Sequence, residues 1–463
     1  MADDAKAPVR LLRFTDGPPR RTAWTLFLVV GLVYLLTAAY TGPLSPDTIA
    51  AAIPAWHLAH TGSPYLESTG LHSQWFLWAD GHLVSNRFAG VVWFGVPFYA
   101  VSGLLGAPFG LGGFSLAPAA LAAATAASGT VAVVYLLLRE LVTARLALIV
   151  ALVFAFGTPT WSVSANSLWP HGPAQLWLAL GVLLVVRGRY SWSGLVLGLA
   201  VATRLHFAVV PLVLGVWLAV SRRSVRPLLG LGLSAWALPV LLLWNHWVFG
   251  GWKPAGAYQS DVAKLAPVTV EPARYLVNVL GTLVSPNRGL LLWTPALLFL
   301  AAGLPWAWRR APDWVRAATV AGLAYLAVQL QLNAFSGQMN FYGYRLALET
   351  VTLAMPLLAL AVAAPVVWGT ARRTGLIVAS GAQVTLIAVG AILPLPFLWS
   401  VDRPWTTWQP AVTLHAYPLS AGLIVLAGVL GTGGAVRLAS RAGRPPADES
   451  PALMAPAPRA VRD

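Results

Sequence analysis

Apolar runs of about 20 residues recur along the whole chain, separated by short polar stretches, and a run of that length crosses the ~30 Å hydrocarbon core of a bilayer as an α-helix. None of the runs alternates with a period of two. A backbone in lipid has to satisfy its own hydrogen bonds, so each run is expected to be helical. A transmembrane barrel would show short alternating segments instead. The pattern predicts an all-α polytopic membrane protein with about 12 transmembrane helices, give or take one.

Lys and Arg orient the spans, because cytoplasmic loops carry them in excess. Residues 1–22 include KAPVRLLRFTDGPPRR and are assigned to the cytoplasm as a basic tail. The first span, 23–41, then exits to the outer side. The next run, FAGVVWFGVPFYAVSGLLGA at 88–107, raises a conflict. If it crossed, the later Arg-rich loops would fall outside. Placed in the outer interface, it becomes one of two juxtamembrane helices in a first outer loop of 42–115. Further spans are expected at 116–138, 144–162 and 170–186, then over WSGLVLGLAVAT and FAVVPLVLGVWLAV. Others follow at 227–248, 289–308 and 314–333, and the last three end at ARR, LWSVDRPWTTW and RLASRAGR. This arrangement puts 22 of the 30 Lys and Arg inside and 8 outside, with both termini in the cytoplasm. The transmembrane domain is 23–437. The tail 438–463 is rich in Pro, Ala and charge and is expected to be disordered.

Composition removes several alternatives. The chain is 58% hydrophobic and 10% charged, with a net charge of +15. Its basic residues sit in short clusters between apolar runs, so the charge reflects membrane topology and not nucleic-acid binding. It contains no cysteine, which excludes disulfides, thiol catalysis and cysteine-ligated zinc. The 22 Trp and 12 Tyr suit interfacial belts. No phosphate-cradling Gly-rich loop, HExxH or lipase-type GxSxG occurs.

The longer polar segments, 42–115, 249–286, 334–345 and 395–415, all fall outside, so a functional site is expected there. Acids are scarce among them, and Asp47 stands directly after the first span. Two roles fit it. In SPDT, Ser45 is a good N-cap, Pro46 suits the first helical position, and an acid in the first turn favours the helix dipole. That dipole would also keep the carboxylate ionised, as a proton acceptor requires. Ile49, Ile53 and Trp56 follow at roughly helical spacing, which predicts a helix over 46–60 lying on the membrane and bent at Pro54. Arg87, Arg204 and Arg345 lie outside, against the charge rule. They suit an anion such as phosphate, or else snorkelling or pairing with an acid such as Glu349. Weaker candidates are His57, His171, Tyr344 and Arg288, for which interfacial or capping roles compete.

The order of these features resembles the GT-C membrane glycosyltransferases, specifically the group with protein O-mannosyltransferases and lipid A aminoarabinose transferases. An acid follows the first span. Then come an outer helix with HLAHTGSPYL and a basic residue opening NRFAGVVWFGVPFYAVSGLLG. GLVLGLAVATRLHFAVVPLVLGVW is similar to the family's paired short spans, and LVSPNRGLLLWTPALLFL and FYGYRLALETVTLAMPLLALA resemble later segments of bacterial members. The resemblance covers most of residues 20–435 and lies in order and topology more than in one motif.

It implies an inverting transferase in the cell membrane of a bacterium, with its site on the outer face. Asp47 would be general base on an acceptor hydroxyl. Arg87 would lie near the donor phosphate, with Arg204 and Arg345 as further phosphate or sugar contacts. The implied partners are a polyprenyl-phosphate sugar, membrane lipid, and an acceptor glycan, glycolipid or protein; the sugar would be mannose or another hexose or pentose. Many protein O-mannosyltransferases carry an acidic pair after the first span. In this chain Thr48 follows Asp47, which gives a divalent metal no support and weakens a protein-mannosylating role. A transporter or flippase of lipid-linked sugars, or a non-catalytic envelope scaffold, would keep the arginines without needing Asp47 as a base.

Overall fold

The structure, a computed structural model, describes residues 18–40, 45–106, 113–252, 271–337, 340–394 and 403–441. Most of the basic N-terminal tail and most of the C-terminal tail lie outside the described residues, as do Lys253, Asp261, Lys264 and Asp402. The helices begin with α1 (Pro19–Leu36), α2 (Pro46–Thr61), α3 (Ala89–Gly106), α4 (Ala117–Arg139) and α5 (Ala144–Gly157). Next come α6 (His171–Val186), α7 (Tyr190–Thr203), α8 (Val209–Arg222), α9 (Arg226–Gly232) and α10 (Ala237–Phe249). The remainder are α11 (Pro272–Val284), α12 (Leu290–Trp293), α13 (Ala296–Leu300), α14 (Leu304–Arg310), α15 (Asp313–Leu332), α16 (Leu348–Ala363), α17 (Thr370–Ile392), α18 (Gln409–Ala416) and α19 (Pro418–Arg441).

Among the described residues, eight segments are long and apolar enough to cross a membrane, and α5, α6, α7 and α16 are shorter apolar helices. The chain is a polytopic membrane protein. Every expected span coincides with a helix or a broken run of helices. At the centre is α4, packed by α1, α3, α5 and α6. Its run AALAAATAASGT presents small side chains, which let neighbouring helices approach closely where lipid supplies no hydrophobic drive.

Four features differ from the expectation. The first outer segment contains strands β1 (Phe76–Ala79) and β2 (His82–Ser85), so the chain is not wholly α. They pair antiparallel about Asp80 and Gly81, both at positive φ, the geometry that an Asp-Gly hairpin turn favours. The span over 289–308 is broken, because Pro295 cannot donate to a continuous helical ladder. Helices α11 and α18 occupy segments expected to be loops. Finally, α2 is not a surface helix: Ala50, Ala51, Ala52, Ile53, Pro54 and Ala55 are buried consecutively, largely against α3. Helix α3 keeps its expected bounds and is itself long and apolar enough to cross.

Candidate active site

Asp47 is placed by the start of α2. Ser45 caps it, its Oγ accepting the Asp47 N–H at 3.3 Å, and Pro46 takes the first position, where no N–H is required. Pro54 lies inside the helix and has no N–H to offer the Ala50 carbonyl one turn back. The Ser85 hydroxyl supplies the missing donor, at 2.6 Å from Ala50 O. The same Ser85 Oγ accepts the Arg87 N–H at 3.2 Å. A helix-breaking residue thus fixes where the hairpin ends, and Arg87 follows two residues later. Replacing Ser85 by alanine leaves a buried carbonyl unpaired at a cost of about 1–3 kcal/mol. The expected outcome is a lower thermal midpoint.

Arg87 reaches Asp47 Oδ1 with Nη1 at 3.0 Å, and Asn86 Oδ1 accepts from its Nε and Nη2 at 2.9 and 2.8 Å. Its guanidinium also lies over the Trp75 ring. From the far end of the sequence, Arg345 Nη1 reaches Asp47 Oδ2 at 2.8 Å. Both pairs are nearly covered, with side-chain exposures of 9–10%. Arg345 is stacked against Trp169 and Phe341. The loop that carries it is fixed peptide by peptide. Arg288 donates to the carbonyls of Phe341 (2.9 Å) and Gly343 (3.2 Å). Gln409 donates to Phe341 O at 2.7 Å and accepts from Gly343 N–H at 2.9 Å. Ser162 donates to Tyr342 O at 2.8 Å.

Arg204 occupies the break between α7 and the short turn before α8, in an extended conformation. Its charge acts on both Asp47 and Arg345. Among the described residues no carboxylate lies within ion-pair distance of it, and its Nη2 is 3.4 Å from His171 Nε2. The end of α7 is set by its crossing with α3. A Cβ on Gly90 would come within 2.4 Å of the Thr203 backbone nitrogen. Gly90→Ala therefore pushes the end of α7 away and displaces Arg204; the expected result is a lower thermal midpoint with α-helix content unchanged by circular dichroism.

Burial raises the Asp47 carboxyl, but the charges of Arg345 and Arg87, the Arg345 hydrogen bond and the charge of Arg204 outweigh it and hold it below its usual value of 3.8. Asp47 is therefore ionised at neutral pH, with both oxygens engaged. Three guanidinium groups face this one carboxylate.

The structure brings together Asp47, Arg87, Arg204 and Arg345, with His171 behind Arg204. Pairing with an acid does occur for Arg87 and Arg345, but the acid is Asp47, and Glu349 pairs with His171 instead. The other three candidates have structural surroundings. His57 is buried, its Nδ1 within 2.9 Å of Ser63 O and its Nε2 within 3.3 Å of Ser68 Oγ, and it ties down the loop after α2. Tyr344 is in the main hydrophobic core, and Arg288 serves the Arg345 loop. Sequence reasoning missed Asn86, Ser85 and Gln409. Only the Asp-Gly turn, which announces a hairpin ending beside Arg87, offered a signal for the first two. Among the described residues no group of three or more His, Asp or Glu comes together as a metal-ligand set.

No family model and no curated protein matches the chain. Among solved structures it is similar to ArnT from Cupriavidus metallidurans, determined with bound undecaprenyl phosphate. The TM-score is 0.50 at 19% identity, over 91% of this chain and 72% of ArnT. It also aligns with the archaeal oligosaccharyltransferase AglB from Archaeoglobus fulgidus, determined with an inhibitory peptide and a dolichol-phosphate. That TM-score is 0.42 at 14% identity, over 80% of this chain and 54% of AglB. The chain has the fold of the GT-C membrane glycosyltransferases.

Proposed function

We propose that the protein is a membrane glycosyltransferase that moves a sugar from a polyprenyl-phosphate donor to an acceptor hydroxyl at the outer face of the cell membrane, with inversion at the anomeric carbon. The observation that carries this is the convergence of Arg87, Arg204 and Arg345 on the single carboxylate of Asp47. The excess positive charge suits an anion with several oxygens, and the guanidinium fork matches phosphate.

The arginine bonds to both oxygens make Asp47 a weak base. The donor phosphate brings its own negative charge and competes with Asp47 for Arg87 and Arg345. As those cations turn to the phosphate, burial of Asp47 is left less opposed and its carboxylate becomes a stronger base. The acceptor oxygen then bonds to the anomeric carbon while the bond from that carbon to the phosphate oxygen breaks. The hydroxyl proton goes to Asp47. The bonding pair leaves on the phosphate, whose growing negative charge the arginines stabilise in a partly dehydrated site. The products are the glycosylated acceptor and free polyprenyl phosphate.

Binding tests the phosphate site without knowing the sugar. Purified protein should bind undecaprenyl phosphate saturably, and Arg204→Ala should weaken that binding about tenfold to a hundredfold, as loss of a charge-assisted contact does. Equal binding by both proteins would sink the assignment.

A further inference from the structure

Behind Arg204 lies a polar group that the transfer chemistry leaves unused. Glu349, on α16, and His171, at the start of α6, are both fully buried, with His171 Nδ1 2.7 Å from Glu349 Oε1. The Tyr325 hydroxyl, on α15, is 3.5 Å from Glu349 Oε2. A carboxylate taken out of water at this depth is costly and calls for a reason beyond packing. The other ring nitrogen of His171, Nε2, is the one that meets Arg204 Nη2 at 3.4 Å.

This contact fixes the imidazole. A guanidinium can only donate, so Nε2 has to be the bare, accepting nitrogen. The ring proton then sits on Nδ1 and is donated to Glu349. A chain of defined direction results: Arg204 donates to His171, and His171 donates to Glu349. The carboxylate selects the ring tautomer, and the ring accepts from one Arg204 donor. The geometry matters because Arg204 is in an extended break between two helices, and among the described residues no carboxylate pairs with it directly.

We infer that Glu349 and His171 are positioning residues for Arg204: the buried pair holds the guanidinium in the orientation that receives the donor phosphate. This rests on the phosphate-site reading above and adds to it residues that do not themselves touch substrate. It also explains why the pair is ionisable. A neutral hydrogen-bonding pair could hold the ring, whereas a carboxylate also offsets part of the positive charge that Arg204 brings to the membrane domain.

The test is a double-mutant cycle read by undecaprenyl phosphate binding in detergent, since contacting residues couple and distant ones add. Glu349→Gln should weaken binding about tenfold in the wild-type background and have little further effect in Arg204→Ala. Full additivity in both backgrounds, or no loss from Glu349→Gln, overturns the inference. A second variant covers loss of folding: His171→Leu with Glu349→Leu removes both members of the buried pair together, a change that folded proteins often tolerate. It should fold and show the same weakened binding; folding with undiminished binding overturns the inference. Failure of Arg204→Ala itself to weaken binding would instead remove the phosphate site on which the inference stands.

Discussion

Asp47→Asn will abolish sugar transfer while leaving lipid-phosphate binding intact or stronger. Loss of a general base costs about 10²- to 10⁴-fold in rate. The binding half of the expectation is specific to this geometry. In the wild type Arg87 and Arg345 are both committed to Asp47, so a phosphate has to compete for them. Asparagine carries no charge and releases them. Kinetic assay of turnover, beside titration with undecaprenyl phosphate, separates the two effects. A flippase or an inactive scaffold would respond to the second change and have no reason to show the first. Weaker binding in Asp47→Asn would mean that the carboxylate orders the arginines for phosphate and does not withhold them.

Arg345→Ala has the second large effect, and it acts on stability as well as on activity. Removing one partner of a buried ion pair costs about 3–5 kcal/mol. It also removes a planar cation that lies over the Trp169 and Phe341 rings, so lysine should restore little: it lacks both the fork and the stacking face. The pH dependence follows from the direction of the Asp47 shift. In the wild type the folded carboxyl lies below 3.8, so the ion-pair contribution is complete above that value and is lost only as pH falls through the lower folded value. Without Arg345 the burial effect is less opposed and the Asp47 carboxyl rises. From Asp47 alone, the thermal midpoint of Arg345→Ala should therefore fall less steeply below pH 3.8 than that of the wild type. Parallel pH titrations of thermal midpoint check this, and an unchanged acid limb would show that Arg345 does not set the charge state of Asp47.

The fold was legible where it depends on lipid. Runs that must close their own hydrogen bonds name themselves by length, and the helices appear where those runs do. The arginines were legible for a related reason: the charge rule singled out Arg87, Arg204 and Arg345 as cations in need of a partner, and Arg87 and Arg345 pair with Asp47 while the charge of Arg204 acts on it. Ser45 and Pro46 correctly announced the start of α2. Pro54 was visible too, but its consequence was not, because the Ala50 carbonyl it frees is satisfied by Ser85, 35 residues away. The Glu349–His171 pair was hidden for the same reason, joining residues 178 apart. That Arg288 pins the Phe341 and Gly343 carbonyls is a matter of tertiary backbone geometry. The amphipathic reading of α2 failed because this helix meets protein along most of its length, so spacing of large apolar residues carried no information about its exposed face.

The most direct measurement is release of free polyprenyl phosphate by purified protein given a panel of polyprenyl-phosphate sugars and a cell-envelope extract as acceptor source. The wild type should release lipid phosphate from at least one donor and glycosylate a component of the extract, and Asp47→Asn should do neither. Equal release by the two proteins would contradict the assignment of Asp47 as the base and the catalytic site built around it.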